Sequence, residues 1–339
     1  MKRIAYLLLL FSQSLFAQSR VDSLIRAGVE YHDAGSYLKA ISSYQKAIEL
    51  NPESGLAHYE LAYSAMLAKD YELAYEHAEI VIDLDESDKL SLSAYNILGS
   101  SLDERGEVKK SIKVYKKALR KFDNHYLLAY NLAVDYFNIN EFDEAEEVLQ
   151  KGILNNPSHS SSHLLLAGIK KSQRARVESL LAFHTFLLLE PNSARSRDAY
   201  NQLMSQFGAG VSQDPDKPNQ INISLSPSSL DSDFSSADMM ISMLMATNNL
   251  DENKDLSEQE KFVKNTTTFF KIVGEMGEND SDDFWNETYT RFYYKLAQSD
   301  YMTIYSHYIA QSENSESEIW ILEHQKETND FLKWVEENF

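Results

Sequence analysis

No cysteine occurs among the 339 residues, so disulfides, zinc–thiolate centres and a cysteine nucleophile are all excluded. Stability must come from packing alone. Basic residues are also scarce, 32 against 52 acidic, for a formal net charge of −20. The deficit is uneven: residues 18–207 hold 21 basic and 27 acidic groups, whereas residues 208–339 hold 9 and 25. Such a field repels a phosphate backbone, so nucleic acid is not an expected partner, and anionic lipid surfaces are disfavoured for the same reason. Past the first residues no apolar run approaches the roughly 18 residues of a membrane span. Glycine-rich phosphate loops, the G-x-S-x-G elbow and H-E-x-x-H are missing as well, so catalysis has no positive support and no cofactor is expected.

What the chain does have is a rhythm. Small residues stand at Gly28, Ala62, Gly99, Ala133 and Ala167, at intervals of 34, 37, 34 and 34. The first copy around them reads Leu24, Ala27-Gly28, Tyr31, Ala40, Tyr44, Ala47, Pro52, and the second His58, Leu61-Ala62, Ala65, Ala74, Ala78, Val81. The third reads Tyr95, Leu98-Gly99, Leu102, Ser111, Tyr115, Ala118, and the fourth Ala129, Leu132-Ala133, Tyr136, Ala145, Leu149, Gly152, Pro157. The fifth, His163, Leu166-Ala167, Lys170, Ser179, Phe183, Phe186, Pro191, is the most degraded. Glu86 and Asp123 stand where the second and third copies would carry proline.

Five copies of W-x2-L-G-x2-Y, A-x3-F-x2-A and P, each partly matched, resemble the tetratricopeptide repeat. The resemblance implies an all-α, right-handed superhelix of five helical hairpins, starting near residues 21, 55, 92, 126 and 160. Small residues let the two helices of each hairpin approach, and Tyr31, Tyr44, Tyr115 and Tyr136 are expected to fill the space between units. Gly35, Gly106 and Asn140 sit where the first helix must end in a left-handed residue. Pro52, Pro157 and Pro191 stop the second helix. The extra three residues between copies two and three fall in the polar connector 83–88.

In proteins of this family the first helices line a concave groove. Its inward positions match Tyr59, Tyr63 and Met66 in copy two, Asn96, Ser100 and Asp103 in copy three, Tyr130, Phe137 and Asn138 in copy four, and Lys171 in copy five. Aromatic rings offer area at low entropy cost, and asparagine bonds an extended backbone in both directions, so a protein or peptide partner is expected. Some family members clamp a terminal carboxylate with Lys and Asn in their first unit. Ile25 and Val29 occupy those places here, so that clamp is absent.

The ends read differently. Residues 1–17, with the basic head Met1-Lys2-Arg3, the apolar run from Ile4 to Phe11 and Ala17 before Gln18, resemble a bacterial secretory signal, which implies a periplasmic protein with no membrane-integral segment after cleavage. Residues 193–207 form a capping helix, and 208–235, with Pro215, Pro218 and Pro227, reads as a linker in which Ile221 to Leu225 alternates like an edge strand. Residues 236–339 read as an acidic, aromatic-rich helical domain.

Asp251-x-Asn253-x-Asp255 opens like a calcium loop, but Leu256 replaces the turn glycine and Phe262 the closing glutamate, and Ser257 with Glu260 forms a capping box instead. Glu278, Asp280, Asp282 and Asp283 read as a solvated turn, and His159 with His163 as a poor metal pair. The reading is therefore an exported scaffold that holds a segment of its partner in the groove. Two alternatives are an adaptor whose residues 221–339 occupy its own groove, and a small-molecule or hydrolase site around Trp285, Tyr289 and Tyr293 with Asp282 or Asp283 at its mouth.

Overall fold

The structure is a computed structural model that describes residues 19–85, 87–214, 217–224, 234–248, 255–277 and 283–339. The stretch 1–17, Glu86, Asp251, Asn253, Glu278, Asp280 and Asp282 lie outside these residues. The chain is all-α with one short two-stranded ribbon, and it divides into two compact units, residues 1–141 and 142–339. No helix among the described residues is long and apolar enough to cross a membrane.

The first unit is a run of antiparallel helical hairpins: α1 (residues 19–33) with α2 (Tyr37–Leu50), α3 (Gly55–Leu67) with α4 (Tyr71–Leu84), α5 (Asp88–Glu104) with α6 (Val108–Lys121), and then α7 (Tyr126–Asn138). Short polar residues start these helices where the backbone needs acceptors: Ser54, Asp70 and Ser87 each take the amide three residues on. Every turn between paired helices places one residue in the left-handed region. Gly35 and Gly106 (φ 69° and 74°) adopt it freely, and Asn140 follows at 61°. Lys69 at 62° occupies the same place, which the sequence pattern does not single out. Repeated bonds explain why even lysine is held there: Lys69 N–H donates to the Met66 carbonyl and Asp70 N–H to the Ala65 carbonyl, as Gly106 and Glu107 do to Asp103 and Leu102. Asp85 (φ 46°) ends α4, and its carboxylate accepts from Ser91 at 3.1 Å and from Lys121 at 2.5 Å, pinning the longer connector to α5 and α6.

Within a hairpin the small residue lies under a tyrosine ring. A Cβ added at Gly28 would collide with the Tyr44 ring, and one at Gly99 with the Tyr115 ring, so both tyrosines are held inside their own hairpin. Tyr136 is buried too, but Tyr31 is 41% exposed, against the expectation that it fills an inter-repeat space. Its counterparts Ala65 and Leu102 are buried; Tyr31 belongs to the first described helix, which has no described helix before it.

The second unit comprises α8 (Phe142–Asn155), α9 (Ser160–Ser172), α10 (Arg176–Leu189), α11 (Ala194–Phe207), the ribbon β1 (Val211–Asp214) and β2 (Lys217–Ile223), and the helices α12 (Ser235–Thr247), α13 (Glu258–Gly277), α14 (Arg291–Ala297), α15 (Met302–Ala310), α16 (Ser315–Glu323) and α17 (Gln325–Asn338). Part of the stretch expected as linker is thus a ribbon, with Val211 opposite Ile223 and Gln213 opposite Ile221. Ser257 and Glu260 make the expected capping box of α13.

Residues 142–339 form one unit because α10 is buried all round. Val177 through Leu188 are all buried, and such a helix requires neighbours on every side. α9 covers one side, and the C-terminal helices cover others. His163 Nε2 donates to the Pro157 carbonyl at 2.7 Å, which leaves Nδ1 to accept from the Tyr289 hydroxyl at 2.8 Å. Tyr293 donates to Thr185 Oγ1 at 2.8 Å, and Tyr305 shares a 2.8 Å bond with His184 Nδ1. The His184 ring packs among Phe207, Phe269 and Phe270. A π-type turn at Asn286–Thr290 interrupts the helix before α14, and the Asn286 side chain there donates to the Gly277 carbonyl at 2.8 Å.

Two outcomes follow from this packing. Gly99→Ala should lower stability by roughly 1–3 kcal/mol through overpacking, whereas Gly168→Ala, with nothing within 4 Å of its added carbon, should be neutral or gain up to about 1 kcal/mol of helix propensity; urea denaturation of each variant distinguishes them. Burial pulls His163 down to about 4 and His184 to about 3, below their ordinary 6.5. Because the unfolded chain takes up these protons first, the second unit is most stable above pH 6.5 and loses about 1.4 kcal/mol per pH unit per histidine as pH falls towards those values. All three tryptophans, Trp285, Trp320 and Trp334, lie in this unit, so urea midpoints followed by tryptophan fluorescence at pH 7 and pH 5 measure it directly; equal midpoints would contradict the account.

Candidate functional site

The first helices of the first unit, α1, α3, α5 and α7, touch one another through a chain of side-chain contacts. His32 on α1 stacks on Tyr63 at 4.9 Å between centroids, and Tyr63 stacks on Tyr59 one helical turn back at 6.3 Å. His32 Nδ1 also bonds Ser64 Oγ at 2.8 Å, which fixes the ring against α3. Tyr63 is exposed and Tyr59 half-buried. Met66, one turn on, has its sulfur 3.4 Å from the Ser101 hydroxyl of α5, whose proton goes to the Ile97 carbonyl at 2.7 Å.

On α5 the strip turns polar. The Tyr115 hydroxyl emerges from beneath Gly99, bonds Ser100 Oγ at 3.0 Å and donates to the Asn96 carbonyl at 3.3 Å. The side chain of Asn131 on α7 donates to the side-chain oxygen of Asn96. Asn131 is absent from the pattern-derived set; what marks it is its bond to Asn96 on the adjacent first helix, 35 residues before it. Tyr130 and Phe137 on α7 are half-buried and Asn138 is exposed. Nine of the ten expected groove residues therefore lie in this unit. Lys171 does not: it stands exposed on α9 of the second unit and donates to Gln202 Oε1 at 2.9 Å.

Carboxylates stud the same helices. Burial raises the Glu60 carboxyl above its usual range, and the charge of Asp33 adds to the rise. Asp103 is raised by burial and by Glu104. Asp135, 2% exposed, is pushed up to about 7 by burial; the Ser111 hydroxyl that donates to it at 2.5 Å opposes the rise, and Asp103 adds to it.

Other sequence candidates fall elsewhere. Tyr289 and Tyr293 are fully buried with their hydroxyls committed to His163 and Thr185, so they are core rings and line no open aromatic site. Asp283 caps the Asn286 amide at 2.7 Å. Both His163 nitrogens are engaged by protein atoms, and His159 Nδ1 bonds Ser162 at 2.8 Å, so the two do not form a metal pair. Among the described residues no group of three or more His, Asp or Glu is placed to hold a metal ion. A cavity of about 200 Å³ beside Arg176 is lined by Arg174, Gln206 and Asp238, but the Arg176 guanidinium is spent on Asp238, Ser242 and the Gln206 and Phe207 carbonyls.

Two sequence profiles match the chain, one described as TPR repeat over residues 28–66 and one as Tetratricopeptide repeat over residues 104–169. No curated protein matches it. Among solved structures it is similar to pilF of Pseudomonas aeruginosa, at 20% identity over 56% of this chain and 90% of that one, with a TM-score of 0.47. It is similar also to PilW, described as a widely conserved type IV pilus biogenesis factor, at 18% identity over 56% and 86%, with a TM-score of 0.48. YrrB, described as a TPR protein with an unusual peptide-binding site, is similar at 15% identity over 57% and 96%, with a TM-score of 0.43.

The buried Asp135 makes a pH-dependent outcome. Its folded pKa lies above the ordinary 3.8, so the stability it contributes by holding a proton is complete below pH 3.8 and is lost as pH rises through about 7. Asp135→Asn removes that loss. Between pH 5 and pH 8 the variant should gain on the order of 2 kcal/mol relative to the parent, measured by urea denaturation followed by circular dichroism; a constant difference across that range would contradict the burial argument.

Proposed function

Since the chain is a tetratricopeptide-repeat protein, matched by repeat profiles over 28–66 and 104–169, we propose that it is a scaffold that grips a peptide segment of a protein partner on the first-helix face of residues 19–138. The repeat fold supports protein–protein interaction in general. The finer reading rests on one observation: His32 stacks on Tyr63 and Tyr63 on Tyr59, Ser101 of α5 approaches Met66, and Asn131 of α7 bonds Asn96 of α5, so aromatic and amide groups recur on four successive first helices. Rings supply contact area, and amides supply donors and acceptors for an extended backbone.

We read the protein as exported, on the strength of residues 1–17, and working in the periplasm. The C-terminal helices are read as the standing cover of the fifth repeat. Three buried tyrosine hydroxyls bonded to α9 and α10 support a permanent packing role over release as an inhibitor.

The test is photo-crosslinking in cells. A photoreactive phenylalanine at Tyr63 should yield a discrete adduct with another polypeptide, and the same group at the exposed Ile80 on α4 should yield none. Adding Tyr59→Ala should weaken the adduct about tenfold, the usual effect of losing an aromatic anchor. Equal labelling from both positions, or none from Tyr63, overturns the reading.

A further inference from the structure

We propose that the segment held on this face is basic, an extended stretch carrying lysine or arginine side chains that reach Glu60 and Asp103. The inference rests on the peptide-binding reading above and adds the charge of the ligand.

The argument begins with where the unit's own cations go. Arg105 pairs with Glu72 and Glu107, Lys110 with Glu107, and Lys121 with Asp85. Lys116 and Lys117 lie over the Tyr136 and Tyr95 rings. Among the described residues no cationic side chain pairs with Asp33, Glu60 or Asp103. Burying carboxylates without a cation is unfavourable, and the upward displacement of Glu60 and Asp103 expresses that cost. An ammonium or guanidinium brought from outside removes it.

A separate observation points the same way. The Tyr44 hydroxyl is fully buried and has no hydrogen-bond partner, whereas its counterpart Tyr115 bonds Ser100 and the Asn96 carbonyl. Ser64, the neighbour of Tyr44, bonds His32 at 2.8 Å and lowers the pKa of the Tyr44 hydroxyl against the other influences on it. The Tyr44 hydroxyl lies within electrostatic reach of Glu60 and Asp33, and burial followed by the Glu60 charge pushes it up to about 12. An orphan hydroxyl beside two unpaired carboxylates suits an incoming ammonium, to which all three are acceptors.

The test is fluorescence anisotropy of the full chain at ~150 mM salt with three labelled peptides, alternating Lys-Ala, Gln-Ala and Glu-Ala. The lysine peptide should bind most tightly, and Glu60→Gln with Asp103→Asn should weaken it about tenfold. Both substitutions are near-isosteric and remove raised carboxylates, so circular dichroism should show an unchanged fold. Glu76→Gln with Glu79→Gln on α4 removes equal charge from another face and should alter binding by less than about twofold. If the two pairs of substitutions weaken binding alike, the attraction is diffuse and the proposal is overturned. If the lysine and glutamine peptides bind equally and only Tyr59→Ala with Tyr63→Ala weakens them, the face is a peptide site without charge selection, so the present inference fails and the functional reading survives. Binding of none of the three peptides, together with no crosslink at Tyr63, sinks both.

Discussion

The contact on which the first unit depends is a tyrosine ring lying on a glycine backbone. With no side chain at Gly28 or Gly99, the second helix of the hairpin approaches closely enough for Tyr44 or Tyr115 to be buried against the first. The same contact carries the tyrosine hydroxyl through the hairpin towards the first-helix face. In the third repeat that hydroxyl meets Ser100 and Asn96; in the first it lies beside Ser64 and Glu60 without a formed hydrogen bond. A packing requirement thereby places a polar group near the first-helix face, and the two repeats differ in how that group is bonded while sharing one steric solution.

The second unit solves the opposite problem. Its fifth repeat departs most from the repeat pattern because α10 has no polar face left to present. Leucines and phenylalanines replace the positions that a solvent-facing helix would give to charge, and the C-terminal aromatic helices supply the missing neighbours. Buried histidines joined to tyrosine hydroxyls provide the polar part of that seam. Neutral rings are required there, since a charged imidazole in such surroundings has neither water nor a carboxylate to compensate it. Specific hydrogen bonds within an aromatic core select one docking arrangement more sharply than apolar contact alone.

Much of this was legible in residues. The 34-residue rhythm marks helical hairpins because each needs the same small residue at the same crossing, and Gly35, Gly106 and Asn140 announce the left-handed turn. Lys69 and Arg174 adopt that turn too, at φ 62° each, and nothing in their side chains announces it; the paired amide bonds of the turn hold them there. Tyr63 and Asn96 were identifiable from helical register alone. Asn131 was not, because its importance arises from the side chain it meets on the adjacent helix.

Sequence by itself determined the helical period and the all-α repeat fold, since these follow from local spacing and local sterics, although α5 begins at Asp88 and not near 92. Tertiary structure alone decided that residues 142–339 pack as one unit across the compositional break at 208, that Tyr289 and Tyr293 are core, and that Glu60 and Asp103 lack a cation. Those outcomes depend on which distant side chains share a volume from which water has been removed, and one-dimensional spacing does not encode that.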